Sequence, residues 1–170
     1  MGTEAVKAEA TGERSKYGGA PVRVPPPLVV AVLVATGLIV HFFLYPLPIG
    51  LTLVPRLVVG GALLISGVAM GLSVMKQFRQ SGRSNPLPWH PSPELIAKGA
   101  YRFSRNPMYL FEVLKMAGIG IAANSGWVVL LSPVFLLVVH FTAVLPEERY
   151  LFETFGESYV RYCAKVRRYL

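Results

Sequence analysis

At 170 residues and 18.6 kDa, the chain is long enough for one domain and too short for two. It is 53% hydrophobic and only 15% charged, against roughly 25% charged in an ordinary soluble domain, which points to a membrane and rules out disorder for its bulk. The net charge of +8 suits either nucleic acid or an anionic membrane surface, and the positions of the charges decide between them.

Several chemistries are excluded at once. A single cysteine, Cys163, rules out an internal disulfide framework and any cysteine-cluster metal site. All nine acidic residues are Glu, so calcium loops of the EF-hand type and paired-Asp metal signatures are absent. Neither G-x-x-x-x-G-K-[ST] nor G-x-G-x-x-G occurs, so the usual phosphate-cradling loops are missing too.

In chain order, residues 1–24 are polar, carry Lys7, Arg14, Lys16 and Arg23, and read as a flexible tail ahead of one membrane domain over 25–170. Val6 breaks the myristoylation pattern after Met1-Gly2, and no small-residue cleavage site follows the first apolar run, so a cleaved signal peptide is not expected. Four apolar segments follow: Leu28 to Tyr45, Leu51 to Met75, Pro107 to Ala123, and Trp127 to Leu145. A helix needs about 17–25 residues to cross the hydrocarbon. The second and fourth segments meet that plainly and the first adequately. The third is short and contains Glu112 and Lys115. Pro46-Leu47-Pro48-Ile49-Gly50 and Asn124-Ser125-Gly126 close two tight hairpins. The predicted architecture is therefore an all-α integral membrane protein with about four transmembrane helices as two hairpins.

Fifteen of the seventeen Lys and Arg residues lie in three segments: the N-terminal tail, the polar stretch from Lys76 to Arg105, and the charged tail after Glu147. Four spans put all three on one side, which the positive-inside rule makes the cytoplasm. The hairpin tips carry no Lys or Arg. Topology and anionic lipid account for the basic excess without nucleic acid. Gly67-x-x-x-Gly71 allows close helix approach, inside the bundle or across a dimer face, so the expected state is a monomer or weak dimer.

Two polar blocks lie at the cytoplasmic ends. The first runs from Lys98 through Gly99, Tyr101, Arg102, Ser104, Arg105, Asn106 and Pro107 to Tyr109. Asn106 is a good N-cap and Pro107 suits a first helical position. Arg105 then sits beside a positive helix end, where it holds either an anion such as a carboxylate or a lipid headgroup. Tyr109, Glu112 and Lys115 share one helix face. Glu112 and Lys115 are either a structural ion pair or the lining of a site. In the second block, Glu147-Glu148 follows Pro146, with one carboxylate free to face the bundle and the other solvent. Tyr150, Leu151, Phe155, Tyr159 and Tyr162 then read as an interfacial helix. His41, His90 and His140 do not form a metal cluster by spacing; each reads as a packed or hydrogen-bonded histidine.

Taken together, Gly99-x-Tyr101-Arg102-x-x-Arg105-Asn106-Pro107-Met108-Tyr109, a helical hairpin, and Glu147-Glu148-x-x-Leu151-x-x-x-Phe155-Gly156-x-x-Tyr159-x-x-Tyr162 resemble the small integral-membrane methyltransferases. These include isoprenylcysteine carboxyl methyltransferases and phospholipid N-methyltransferases. The resemblance covers about residues 88–170. It implies S-adenosylmethionine as cofactor, bound at the cytoplasmic helix ends under the C-terminal segment. His90, Gly99, Tyr101, Arg105, Asn106, Pro107, Tyr109, Glu147 and Glu148 would then occupy cofactor-site positions. Many relatives have His where this chain has Asn106, and a small residue where it has Phe111, whose ring would reshape the substrate end.

The implied reaction is displacement at a methyl sulfonium, in which the enzyme mainly positions donor and acceptor. Arg105 suits the cofactor carboxylate, Glu147 or Glu148 its ribose or ammonium group, and Tyr101 and Tyr109 its adenine or sulfonium. A carboxylate acceptor needs no base. An amine acceptor needs one, and Glu112 is the candidate. The acceptor is expected to be lipidic, reaching the site from the bilayer. Two other readings stand beside this one: an NADPH-dependent membrane reductase, since the much larger sterol reductases share the C-terminal architecture, and a non-catalytic lipid-binding module.

Overall fold

The computed structural model describes residues 22, 24–80 and 95–169, and among them it is all helix with no strand. Helix α1 (Pro26–Ile39) starts on Pro26, whose missing N–H costs nothing at a first position. It widens into a π-type turn over Val40–Leu44 before Pro46 stops it. Helix α2 covers Leu53–Gln80. A 3₁₀ turn at Gly99–Arg102 precedes α3 (Pro107–Ala122). Helix α4 (Gly126–Val139) is capped by Ser125, whose hydroxyl accepts from the Val128 N–H at 3.4 Å. It passes through a π-type turn at His140–Val144 into α5 (Leu145–Phe155), and Gly156 at φ 51° turns the chain into α6 (Glu157–Cys163).

Three stretches have the length and apolarity to cross a membrane: Pro26–Leu44 with 19 residues, Leu53–Gln80 with 28, and Gly126–Phe155 with 30. Only 11%, 17% and 33% of their most apolar windows are buried in the protein, so most of this apolar surface faces outward, as lipid permits and water does not. The third expected span, α3, has 16 residues. At 1.5 Å per residue it reaches about 24 Å, short of the roughly 30 Å of hydrocarbon.

The last spanning stretch runs on through Pro146, past Leu145, the expected end of the fourth segment. The wide turn at His140–Val144 relieves the clash that a proline ring makes with the carbonyl four residues earlier. Pro133 inside α4 is accommodated differently. The carbonyl of Val129, which loses its helical donor there, accepts the Ser132 hydroxyl at 2.7 Å.

Although α1 and α2 are joined by a short loop, α1 packs on α4 and α2 on α3, leaving α3 between α2 and α4. Glycines set the α2–α3 distance. A Cβ on Gly118 would stand 2.7 Å from the Gly60 carbonyl oxygen and the Leu64 nitrogen, and one on Gly67 would stand 2.7 Å from the Lys115 side chain. Gly61 and Gly71 face open space. Within this chain the G-x-x-x-G pattern is therefore split: Gly67 packs against α3 and Gly71 does not. The hairpin tips meet at one end of the bundle, where the Gly126 N–H donates to the Leu47 carbonyl at 2.8 Å and the Ile49 N–H to the Asn124 side chain at 3.1 Å. His41 accepts from the Leu47 N–H at 3.2 Å, a buried structural bond.

Gly118→Val should push α2 off α3 against backbone atoms and destabilise the protein by about 1–3 kcal/mol. Gly61→Ala and Gly71→Ala should be neutral or stabilising by about 0.5–1 kcal/mol, from helix propensity alone. Thermal melts in detergent separate the two classes.

Candidate active site

The end of the bundle away from the hairpin tips gathers the polar blocks. Asn106 stands at the N-cap position of α3, but its side chain does not cap the helix. Its amide nitrogen donates instead to the Arg168 carbonyl at 3.1 Å. The C-terminal segment after α6 draws the amide away, because it runs back across this loop. The Arg105 N–H donates to the Arg167 carbonyl at 2.9 Å, and the Ser104 hydroxyl to the Arg168 carbonyl at 3.2 Å. Ser104 also accepts from the Asn106 N–H at 3.1 Å, which fixes the bend into Pro107.

Two adjoining chambers open here, sharing Phe78, Tyr101, Arg105, Asn106 and Glu147. Pro26, Pro27, Met108, Tyr109 and Glu112 complete the first, on the side of α1. Glu148, Leu151, Tyr159 and Tyr162 help to complete the second, beneath α6. Both are narrow, with about 70 and 40 Å³ of free space. A larger cavity of about 380 Å³ lies on the opposite face of α3, has no ionisable lining, and includes Phe111. That ring is buried against Val74 and Phe78, behind the chamber walls, and does not itself line the chambers. Two residues along a helix is about 200°, which carries it to the far side from Tyr109.

Arg105 is the centre of the arrangement. Its guanidinium lies 3.1 Å from Glu148 and donates to the Cys163 sulfur at 2.7 Å. Its Nε is buried without a hydrogen-bond partner among the described residues. A buried orphan donor on a guanidinium costs about 1–3 kcal/mol until an acceptor arrives. Glu148 is 14% exposed and also accepts from two nitrogens of Arg168, at 3.0 and 2.7 Å. Both adjacent carboxylates thus face inward, because Arg168 arrives on the side that would otherwise be solvent. The Tyr109 hydroxyl donates to Glu147 at 3.4 Å. Glu112 is ion-paired to Lys115 at 2.6 Å and also lines the first chamber, so the two readings of that pair hold together.

The aromatic wall is built from several elements. Phe78, on the last turn of α2, meets Tyr101 edge-on at 5.9 Å. The Tyr162 hydroxyl donates to the Tyr101 carbonyl at 2.7 Å. Burial pushes the phenols of Tyr159 and Tyr162 well above their usual range; Glu148 adds to the shift at Tyr159, and Arg105 opposes it at Tyr162. Burial also raises Tyr169, against the pull of Arg168, and its hydroxyl pairs with His140 Nδ1 at 2.8 Å.

Of the residues singled out in the sequence, Tyr101, Arg105, Asn106, Tyr109, Glu112, Glu147 and Glu148 come together around the chambers. Gly99 and Pro107 do not line them. Gly99 has φ 57° and abuts the Gln77 side chain, where any Cβ would collide. Pro107 is buried at the start of α3. His90 lies outside the described residues. Phe78, Pro26 and Pro27 also line the first chamber, and Arg168 pairs with Glu148, although no motif marks any of the four. Arg168 stood out only as one of several basic residues in a charged tail.

The raised phenols carry a consequence for pH. Folded Tyr159, Tyr162 and Tyr169 keep protons that the unfolded chain releases near its ordinary value of 10.0, so their contribution is complete below that pH and is lost as pH rises above it. Melting temperature should begin to fall as pH rises through about 10 and keep falling above it, and Tyr162→Phe should flatten the fall.

Among the curated proteins no sequence matches the chain. The sequence profile of the phospholipid methyltransferases matches residues 55–158, from the first turn of α2 into α6. That match takes in more than half of the chain and most of the chamber walls. The chain therefore belongs to the phospholipid methyltransferase family of membrane proteins, and methyl transfer to a lipid is the activity that membership assigns it.

Proposed function

We propose that the chain transfers a methyl group from S-adenosylmethionine to a lipidic acceptor, with the cofactor in the two chambers at the cytoplasmic end of the bundle. The observation that carries this reading is Arg105, a largely enclosed guanidinium whose buried Nε has no partner among the described residues, set between carboxylates and aromatic rings. The donor set suits the cofactor chemically. Arg105 offers a charge-assisted donor for a carboxylate. Glu147 and Glu148 offer acceptors for hydroxyl or ammonium groups, and Tyr101, Tyr159 and Tyr162 offer faces for a purine or a cationic sulfur.

When bound, S-adenosylmethionine supplies a methyl group on a positively charged sulfur, already activated for displacement. The protein's share is orientation and exclusion of water. Arg105 and the start of α3 anchor one end, and the ring of Phe78 packed on Tyr101 restricts access from water. For an amine acceptor a proton must leave the nitrogen, and the Glu112 carboxylate in the first chamber receives it, with Lys115 holding its Oε1. For a carboxylate acceptor Glu112 has no proton to take. The first chamber adjoins the start of α1, and the apolar flanks of the bundle give a lipid a lateral approach. The cytoplasmic assignment rests on the placement of fifteen of the seventeen Lys and Arg residues.

Calorimetric titration of S-adenosylmethionine into detergent-purified protein tests the reading. Micromolar binding is expected, weakened at least about tenfold in Arg105→Ala and in Glu148→Ala, the scale of one charge-assisted hydrogen bond. A well-folded protein that ignores S-adenosylmethionine, or binds NADPH instead, overturns it. With phosphatidylethanolamine in mixed micelles as acceptor, Glu112→Gln should lower turnover about a hundredfold while leaving cofactor affinity unchanged. Full turnover in that variant removes Glu112 from proton transfer.

A further inference from the structure

Glu148 is held from two sides. Arg105 reaches its Oε1 through one terminal nitrogen at 3.1 Å. Arg168 grips both oxygens, Nε to Oε1 at 3.0 Å and the second nitrogen to Oε2 at 2.7 Å. This fork is the stronger and more directional of the two contacts. The backbone of the same residue is fastened to the opposite wall, since the Arg168 carbonyl accepts from Ser104 at 3.2 Å and from Asn106 at 3.1 Å. Tyr169, the next residue, is tied to His140 at 2.8 Å. With the Arg105 N–H on the Arg167 carbonyl at 2.9 Å, Arg168 thus enters the site from a segment with four separate attachments.

We infer that Arg168 is a positioning residue that keeps Arg105 available to an anionic ligand by occupying the bidentate face of Glu148. The inference rests on the proposed use of the chambers for S-adenosylmethionine. A carboxylate beside a single guanidinium pairs with it fork to fork. Without Arg168, Glu148 would turn both oxygens onto Arg105 and satisfy the Nε that is now unpartnered. Arg105 and Glu148 would then form a neutral closed pair. With Arg168 present, the three groups carry one net positive charge, and the Nε of Arg105 stays without a partner among the described residues. The hydrogen bond to Glu148 pushes the Arg168 guanidinium further above its already high range, so the fork stays charged at any working pH.

The test is calorimetric, on the full chain in detergent, with two probes: S-adenosylmethionine, and 5′-methylthioadenosine, which lacks the amino-acid carboxylate. Arg168→Ala should weaken S-adenosylmethionine about tenfold at unchanged stoichiometry and leave methylthioadenosine within about twofold, the difference of one charge-assisted contact. Arg168→Lys should recover part of the loss, keeping the charge but not the fork. In a Glu148→Gln background, removing Arg168 should add little, because the competing carboxylate is gone. Equal weakening of both probes, or reduced stoichiometry at unchanged affinity, overturns the inference in favour of a purely structural strap. Tighter binding in Arg168→Ala overturns it in favour of a lid that closes the narrow chambers. Should Arg168→Ala fail to fold, Arg168→Lys decides: unchanged affinity for S-adenosylmethionine overturns the inference. If the wild type binds neither probe, the proposed function itself falls; if it binds S-adenosylmethionine and the variants do too, only the role of Arg168 does.

Discussion

The structure is organised around a nearly buried carboxylate between two guanidiniums. Glu148 is 14% exposed, a burial that an isolated carboxylate could not sustain without several kcal/mol of desolvation cost. Arg105 comes from the loop before α3, Glu148 from the first turn of α5, and Arg168 from the segment beyond α6. The charges can be paired only if these three pieces of chain meet at one place. That meeting in turn aligns Asn106, Tyr101 and Glu147 around the same space. Glu148 and Arg105 depend most on this pairing, because each would otherwise be left largely enclosed and uncompensated, whereas Arg168 reaches in from the more exposed side.

The rest of the bundle carries α3 to that meeting point. Helix α3 is too short to cross a bilayer comfortably and holds a Glu and a Lys, so it is ill suited to face lipid on its own. It is sheltered between α2 and α4, and Gly60, Gly67 and Gly118 let the α2 backbone come close enough to cover it. The Lys115 stem lies against Gly67, which leaves its ammonium free to reach back to Glu112. At the other end the loops hold one another through Asn124, Gly126 and Leu47. Lipid-facing residues such as Phe43, 81% exposed, remain outside this framework.

This division of labour fits a family that acts on lipids. Apolar helix faces turn outward along the bundle, while ionisable groups concentrate at one end in narrow chambers. The large apolar cavity beside Phe111 is separated from those chambers by the body of α3, so the bulky ring is part of the packing between α2 and α3.

Much of this was legible along the chain, because it depends on composition and on short spacings. Long apolar runs specify outward-facing helices wherever they lie, and Pro107 marks a helix start by its own backbone chemistry; the single interfacial helix expected through Tyr150 and Tyr162 is instead broken at Gly156, whose φ of 51° turns the chain. Arg105, Tyr109, Glu112, Glu147 and Glu148 stood out because ionisable groups at the ends of apolar helices are costly unless used. What the tertiary structure alone decided are the contacts between distant segments. Asn106 reads locally as a helix cap, yet a carbonyl 62 positions away takes its amide. Glu147-Glu148 reads as one carboxylate toward the bundle and one toward solvent until Arg168, 20 residues beyond Glu148, encloses it. Phe78 reads as the polar end of a span and becomes an aromatic wall. Local patterns determine which residues must be buried or charged; which partner satisfies each of them depends on how the chain returns on itself, and no spacing records that.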